Sequence, residues 1–236
     1  MSLRTRVMTS TACLLGLAAA TAAAAPPVPV EGTDYRKIAL PAPAVTPEKI
    51  EVVEFFSYMC PHCAAFNPRV VQWVAKLPKD VSFRRSPVGF ERPQWLNLAR
   101  AFYALQVSGD FAKLDGALFK AIHEERQPLF DQGAIADWVG KNGGDADKFA
   151  GAYGSFGVNN QTVQADKMAQ DYGVDSVPAI TVAGQYYVLA DASQGEEKYQ
   201  ADLLAHADAV IALVRTERHP AAAPAAPAKP KKPATH

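Results

Sequence analysis

Ile50-Glu51-Val52-Val53-Glu54-Phe55-Phe56-Ser57-Tyr58-Met59-Cys60-Pro61-His62-Cys63 is the stretch on which the fold of this chain turns. Its first seven residues are a short run rich in β-branched and aromatic side chains, and read as a buried strand. Directly after the second cysteine, Phe66, Val70, Trp73, Val74 and Leu77 recur at helical spacing. Pro78 is expected to end that helix and Pro68 to kink it. Val81-Ser82-Phe83-Arg84-Arg85 reads as the next strand, so strand, helix and strand follow in the order of a βαβ unit. The cysteine pair therefore sits where a strand gives way to a helix.

That position has chemical consequences. Pro61 falls at the first helical position, where its missing N–H costs nothing. Cys60 then lies at the helix N-terminus, where unpaired N–H groups and the helix dipole favour an anion. His62, when protonated, adds a second positive influence. Together they are expected to pull the thiol of Cys60, exposed at the helix start, below its free value of about 8.5, while Cys63, one turn inward, is expected to be buried and less ionised. A stabilised thiolate stabilises the reduced form, which makes the disulfide a stronger oxidant. The pair closes almost no loop, so a purely structural staple explains it poorly. Half of a zinc site is the other reading of Cys-x-x-Cys, but tetrahedral zinc needs two further ligands. His123, His206, His219 and His236 are scattered without ligand spacing. The expectation is no metal and no cofactor beyond a redox-active Cys60–Cys63 disulfide.

Outward from the centre, the 236 residues suit one compact domain or one domain with a large insertion. Arg4, Arg6, Lys229, Lys231 and Lys232 are five of the 24 basic residues, and all 24 acidic residues lie between Glu31 and Glu217. The rest of the chain thus holds five more acidic than basic groups, which gives no reason to expect nucleic-acid binding. Arg4 and Arg6, the charge-free run from Val7 and Ala22-Ala23-Ala24 read as a signal peptide over residues 1–24, with Cys13 discarded. Pro26 to Pro47 is a proline-rich lead-in with a short strand possible over Tyr35 to Leu40. From Phe90 to Gln161 the pattern is helical. Trp95, Leu98, Ala99, Phe102 and Leu105 form one stripe, and Phe111, Leu114, Leu118 and Ile122 another. Val177 to Val182, a turn at Ala183-Gly184 and Gln185 to Val188 read as a hairpin. A long helix follows, turning Tyr199, Leu203, Ala207, Val210, Ile211 and Val214 inward as core. The tail, residues 220–236, is dominated by alanine, proline and lysine and is expected to be disordered.

The run Glu54 to Cys63, with Gly173-Val174 and Val177-Pro178 later on, resembles the DsbA family of bacterial periplasmic thiol–disulfide interchange proteins. The likeness covers roughly Tyr35 to Arg218. It implies an α/β, thioredoxin-like fold interrupted by an inserted helical domain, with residues 25–89 and 162–219 as the two thioredoxin-like parts and 90–161 as the insert. Activated thiols span roughly 3.5–7.5 in pKa, and the acid end of that range is set by this same family, so it is no independent expectation. The likeness further implies that Pro178 is cis and lies against the disulfide. Val177 would offer its backbone to an extended substrate, and Glu54 would be the buried acid beneath the cysteines. Arg85 stands where relatives often carry a lysine. Arginine stays charged, so it can pair with Glu54 but cannot pass a proton on. The implied location is the periplasm, and the implied partners are reduced, newly exported proteins and a quinone-linked membrane oxidase of the DsbB type. A monomer is expected. Two alternatives stand beside this reading: a disulfide isomerase or reductase with the same centre, and a nonenzymatic thioredoxin-like binding module. Such isomerases usually carry an N-terminal association domain, for which the lead-in before Ile50 leaves no room.

Overall fold

Five strands make one sheet in the order β1-β5-β4-β2-β3: β1 (Tyr35–Lys37), β2 (Ile50–Phe56), β3 (Val81–Pro87), β4 (Ala179–Val182) and β5 (Tyr186–Val188). The computed structural model describes residues 28–41 and 48–219, so the expected leader and tail lie outside the described residues. The helices are α1 (Pro61–Val74), α2 (Pro93–Ser108), α3 (Phe111–His123), α4 (Gln132–Lys141), α5 (Ala146–Tyr153), α6 (Phe156–Asp171) and α7 (Glu196–Arg218).

β2 is buried along its whole length because both of its edges and both of its faces are covered. It runs parallel to β3 and antiparallel to β4. Parallel neighbours need a crossover, and α1 supplies it. Residues alternate between faces. Val52 packs with Phe66, Val70, Ile180, Leu203, Val210 and Ile211, between the sheet and helices α1 and α7. Val53 and Phe55 pack on the opposite face with Val88, Ala169 and Tyr172. Phe56, at the strand's end, enters a third cluster formed mainly by the insert, with Leu98, Phe102, Leu105, Leu118 and Trp138. Cys60 and Cys63 belong to that same cluster. The β4–β5 hairpin turns through Ala183 (φ 55°) and Gly184 (φ 63°). Two consecutive positive φ values are what a tight hairpin turn matching the strand twist requires.

Three details add to the sequence reading. Helix α1 stops at Val74, so Leu77 lies beyond it; the Leu77 N–H closes a turn on the Val74 carbonyl at 3.1 Å, and the side chain still packs on the sheet. The helix also runs unbroken through Pro68, which is an internal residue of it. The boundary expected at 161/162 falls inside α6. That helix presents Val158, Thr162, Ala165 and Ala169 as one buried face, and its interior carries no residue that would break it there.

Candidate active site

β2 delivers the chain to the site and Ser57-Tyr58-Met59 turns it. Cys60 then takes the N-cap position of α1 with extended backbone (φ −85°, ψ 117°), and Pro61 opens the helix. The Cys63 N–H points back at the Cys60 sulfur, 3.4 Å away. From the far end of the sheet, the peptide bond between Val177 and Pro178 is cis. It brings the Val177 carbonyl within 3.3 Å of the Cys60 sulfur, whose thiol donates to it. The two cysteines are not bridged to each other.

Cys63 is fully buried, as its place one turn inward implies, but Cys60 is only 4% exposed. The expectation of an exposed Cys60 is therefore corrected. The Val177 strand-entry loop covers it from one side and the insert's core from the other. Within this setting the Cys60 thiol is lowered to about 6. A hydrogen bond from the Cys63 thiol is the main cause, followed by the N–H groups of Cys63 and His62 and the charge of His62, against the opposing effect of burial. Cys63 moves the other way, pushed well up by burial and by its bond to Cys60.

His62 is largely exposed, and its Nδ1 lies 3.0 Å from Glu196 Oε1 on α7. That bond raises the His62 pKa and holds the charge near Cys60. Because the same carboxylate partly neutralises the charge, His62 acts on Cys60 more weakly than the helix terminus and Cys63 do. Beneath the pair, Glu54 is wholly buried. Arg85 Nε donates to its Oε2 at 2.8 Å, and burial raises the carboxyl against the pull of that guanidinium. The guanidinium also stacks 3.8 Å over the Phe56 ring.

A cavity of about 320 Å³ opens beside the cysteines, lined by His62, Ser176, Val177, Pro178, Ala192, Glu196 and Tyr199. Tyr199 fixes its floor by donating to the Pro178 carbonyl at 3.2 Å. Cys60, Pro61, His62, Cys63, Val177 and Pro178 are thus brought to one place, with Glu54 and Arg85 below. Sequence reasoning missed Glu196, Tyr199, Tyr58 and Asp115. Tyr58 lay inside the decisive stretch. The others are separated from the cysteines by tens of residues or more, and no local pattern marks them. Among the described histidines, His123 and His206 are engaged by the backbone carbonyls of Tyr58 and Leu189.

Residues 51–203 match the model of the DSBA-like thioredoxin domain. A thiol:disulfide interchange protein DsbA of Burkholderia cepacia is 40% identical over 173 residues, covering 73% of this chain and 81% of that protein. Its counterpart in Pseudomonas aeruginosa is 38% identical over 167 residues, covering 71% and 79%. Among solved structures, Pseudomonas aeruginosa DsbA superposes with a TM-score of 0.73 at 37% identity, over 79% of this chain and 95% of that one. The oxidoreductase DsbA of Xylella fastidiosa gives 0.73 at 31% identity, over 80% and 99%. A thioredoxin-like fold, a helical insert and one working cysteine pair agree with these likenesses, and this chain belongs to the DSBA-like thioredoxin-domain family of thiol–disulfide oxidoreductases.

Proposed function

We propose that this oxidoreductase runs in the oxidising direction, donating a Cys60–Cys63 disulfide to newly exported proteins in the periplasm. The observation that carries the reading is the separation of the two thiols, with Cys60 lowered to about 6 and Cys63 raised. At neutral pH the reduced enzyme holds Cys60 as a thiolate, and whatever stabilises the reduced form makes the disulfide easier to give away. In the role assigned here, a substrate thiolate attacks the Cys60 sulfur, because Cys63 is sealed in the core. Val177 and Pro178 then hold the substrate backbone beside Cys60, in the groove that Tyr199 and Glu196 also line. Pro61 and His62 set the helix start that favours the thiolate, while Glu54 and Arg85 tune Cys63 from below. In this reading the protein acts as a monomer. The reduced pair is restored by a quinone-linked membrane oxidase of the DsbB type. Residues 1–24 serve as the leader, and the thioredoxin-like parts flank an insert that begins near residue 90.

Equilibration with glutathione at neutral pH tests the direction. The expected couple is more oxidising than glutaredoxins, roughly −200 to −230 mV, and lies toward the oxidising end near −120 mV, a figure that belongs to DsbA itself and is not worked out from this site. A couple near that of thioredoxin, about −270 mV, would instead assign a reductase.

A further inference from the structure

Arg85 does not serve Glu54 alone. Its Nε gives one bond to Glu54 Oε2 at 2.8 Å, and its Nη1 gives two to Asp115, at 2.9 and 3.1 Å. Asp115 sits on α3 and also accepts the Tyr58 hydroxyl. Glu54 Oε1 is buried with no hydrogen-bond partner. Two carboxyl groups therefore compete for one guanidinium in a nearly dry site. We propose that Asp115 is a positioning residue of the redox centre: by holding Arg85 away from full engagement with Glu54, it keeps Glu54 able to carry the proton that Cys63 takes up on leaving the disulfide.

The charged and titratable neighbours of Glu54 come from each element packed on it. Arg85 comes from β3, Asp115 from α3, Cys63 from α1 and Tyr58 from the turn after β2. His123, also on α3, is engaged by the Tyr58 carbonyl at 2.7 Å. β4, with the sequence Ala179-Ile180-Thr181-Val182, brings no ionisable group. When two carboxylates share one cation, the more deeply buried one binds a proton first. Glu54 is 0% exposed at its side chain and Asp115 16%, so the proton falls to Glu54. The Glu54 carboxyl is raised by burial first and by the Asp115 charge as well, with Arg85 opposing both.

The inference rests on the oxidising direction proposed above. A substrate thiolate attacks the Cys60 sulfur, the S–S bond breaks, and its electron pair leaves on the Cys63 sulfur. Glu54 transfers its proton to Cys63 and remains as a carboxylate on Arg85. A second substrate thiolate attacks the substrate sulfur of the mixed disulfide, and Cys60 leaves as a thiolate. Two electrons have passed from the substrate dithiol to the cysteine pair. Of the two substrate protons, one restores Glu54 and the other goes to water. A high-pKa sulfur leaves slowly unless it is protonated as it goes. Arg85 keeps its proton throughout, so the carboxyl group is the donor.

Asp115→Asn retains an oxygen for Arg85 and Tyr58 but removes the charge. In the full chain, carboxyl-labelled glutamate NMR should show the Glu54 midpoint moving to lower pH. The rate at which dithiothreitol opens the disulfide at neutral pH should fall, by up to about 100-fold, the lower end of what a positioned acid contributes. Tyr58→Phe takes a donor from Asp115, leaves its charge less satisfied, and should move the Glu54 midpoint to higher pH. Opposite shifts in two variants are not what a merely structural role would give. An unchanged Glu54 midpoint in Asp115→Asn, or shifts of one sign in both variants, would overturn the role of Asp115. If Asp115→Asn does not fold, Tyr58→Phe decides alone, and an unchanged midpoint there overturns the proposal. The midpoint is read on the protein without a redox partner, so it decides the role of Asp115 whichever way the glutathione equilibrium falls.

Discussion

The pH dependence of the redox equilibrium follows from the separation of the two thiols at the site. Cys60 titrates at about 6 and Cys63 well above its ordinary value. Below about pH 6, reducing the disulfide takes up two electrons and two protons. Above it, Cys60 remains a thiolate and only one proton is taken up. A tenfold change in a two-electron equilibrium is about 30 mV. The potential should therefore fall by about 60 mV per pH unit below the break and about 30 mV per unit above it. The same titration sets the stability of the reduced protein. Cys60 has a folded pKa below its unfolded value of about 8.5, so its stabilisation is complete above about pH 8.5 and is lost as pH falls through about 6. At about 1.36 kcal/mol per unit the full effect is about 3 kcal/mol, and at pH 7 about 1 kcal/mol remains. The assay is equilibration in glutathione buffers from pH 4.5 to 9, paired with urea unfolding of the reduced form. A single slope near 60 mV per unit through pH 8, with a flat stability difference, would refute the assignment of a neutral-pH thiolate to Cys60.

Two further outcomes test the surroundings of the pair. Replacing Glu196 by Gln removes the carboxylate that holds the His62 proton, so the His62 midpoint, followed by proton NMR, should fall. The Cys60 thiolate absorbance should shift by less than about one unit, because an exposed ion pair is worth only about 0.2–1 kcal/mol. Replacing Arg85 by Met strands Glu54 and Asp115 without their cation. Urea unfolding should show a loss of about 3–5 kcal/mol at neutral pH. Glu54 in that variant has a folded pKa still further above its unfolded one, so the loss should shrink as pH falls and both carboxyl groups protonate. A loss of the same size at pH 4 and pH 7 would mean that lost packing on Phe56 is the cause, and charge is not.

What could be read from the sequence was local. Ile50 to Phe56 declared itself as a strand because it is buried on both faces and so lacks the polar alternation that blurs exposed strands. Cys60 and Pro61 declared the helix start because capping and first-turn preferences act within three or four residues. The stripes of Leu98, Phe102, Leu105, Leu114 and Leu118 declared the insert for the same reason, since helical period is a short-range signal. The border expected at 161/162 lies within the helix Phe156–Asp171, and no local signal in that helix marks a change from one part of the molecule to the other.

The remaining features required the chain to return to itself. Cys60 looked exposed because nothing near it in sequence reveals that Val177, 117 residues on, closes over its sulfur. Glu196 reaches His62 across 134 residues. Asp115 reaches Arg85 across 30, from a different layer of the molecule. These contacts have a common geometry. β2 carries Glu54 and then Phe56 on one face, and the chain reaches Cys60 four residues later. A single strand therefore plants the acid beneath the cysteines, anchors the insert through Phe56, and ends at the sulfur. Arg85 stacks on that same ring and bonds to both Glu54 and Asp115, so the packing of the insert on Phe56 and the carboxyl pair share one guanidinium. The insert thus shares control of the proton beneath Cys63, because its own Asp115 is half of the contest for the guanidinium.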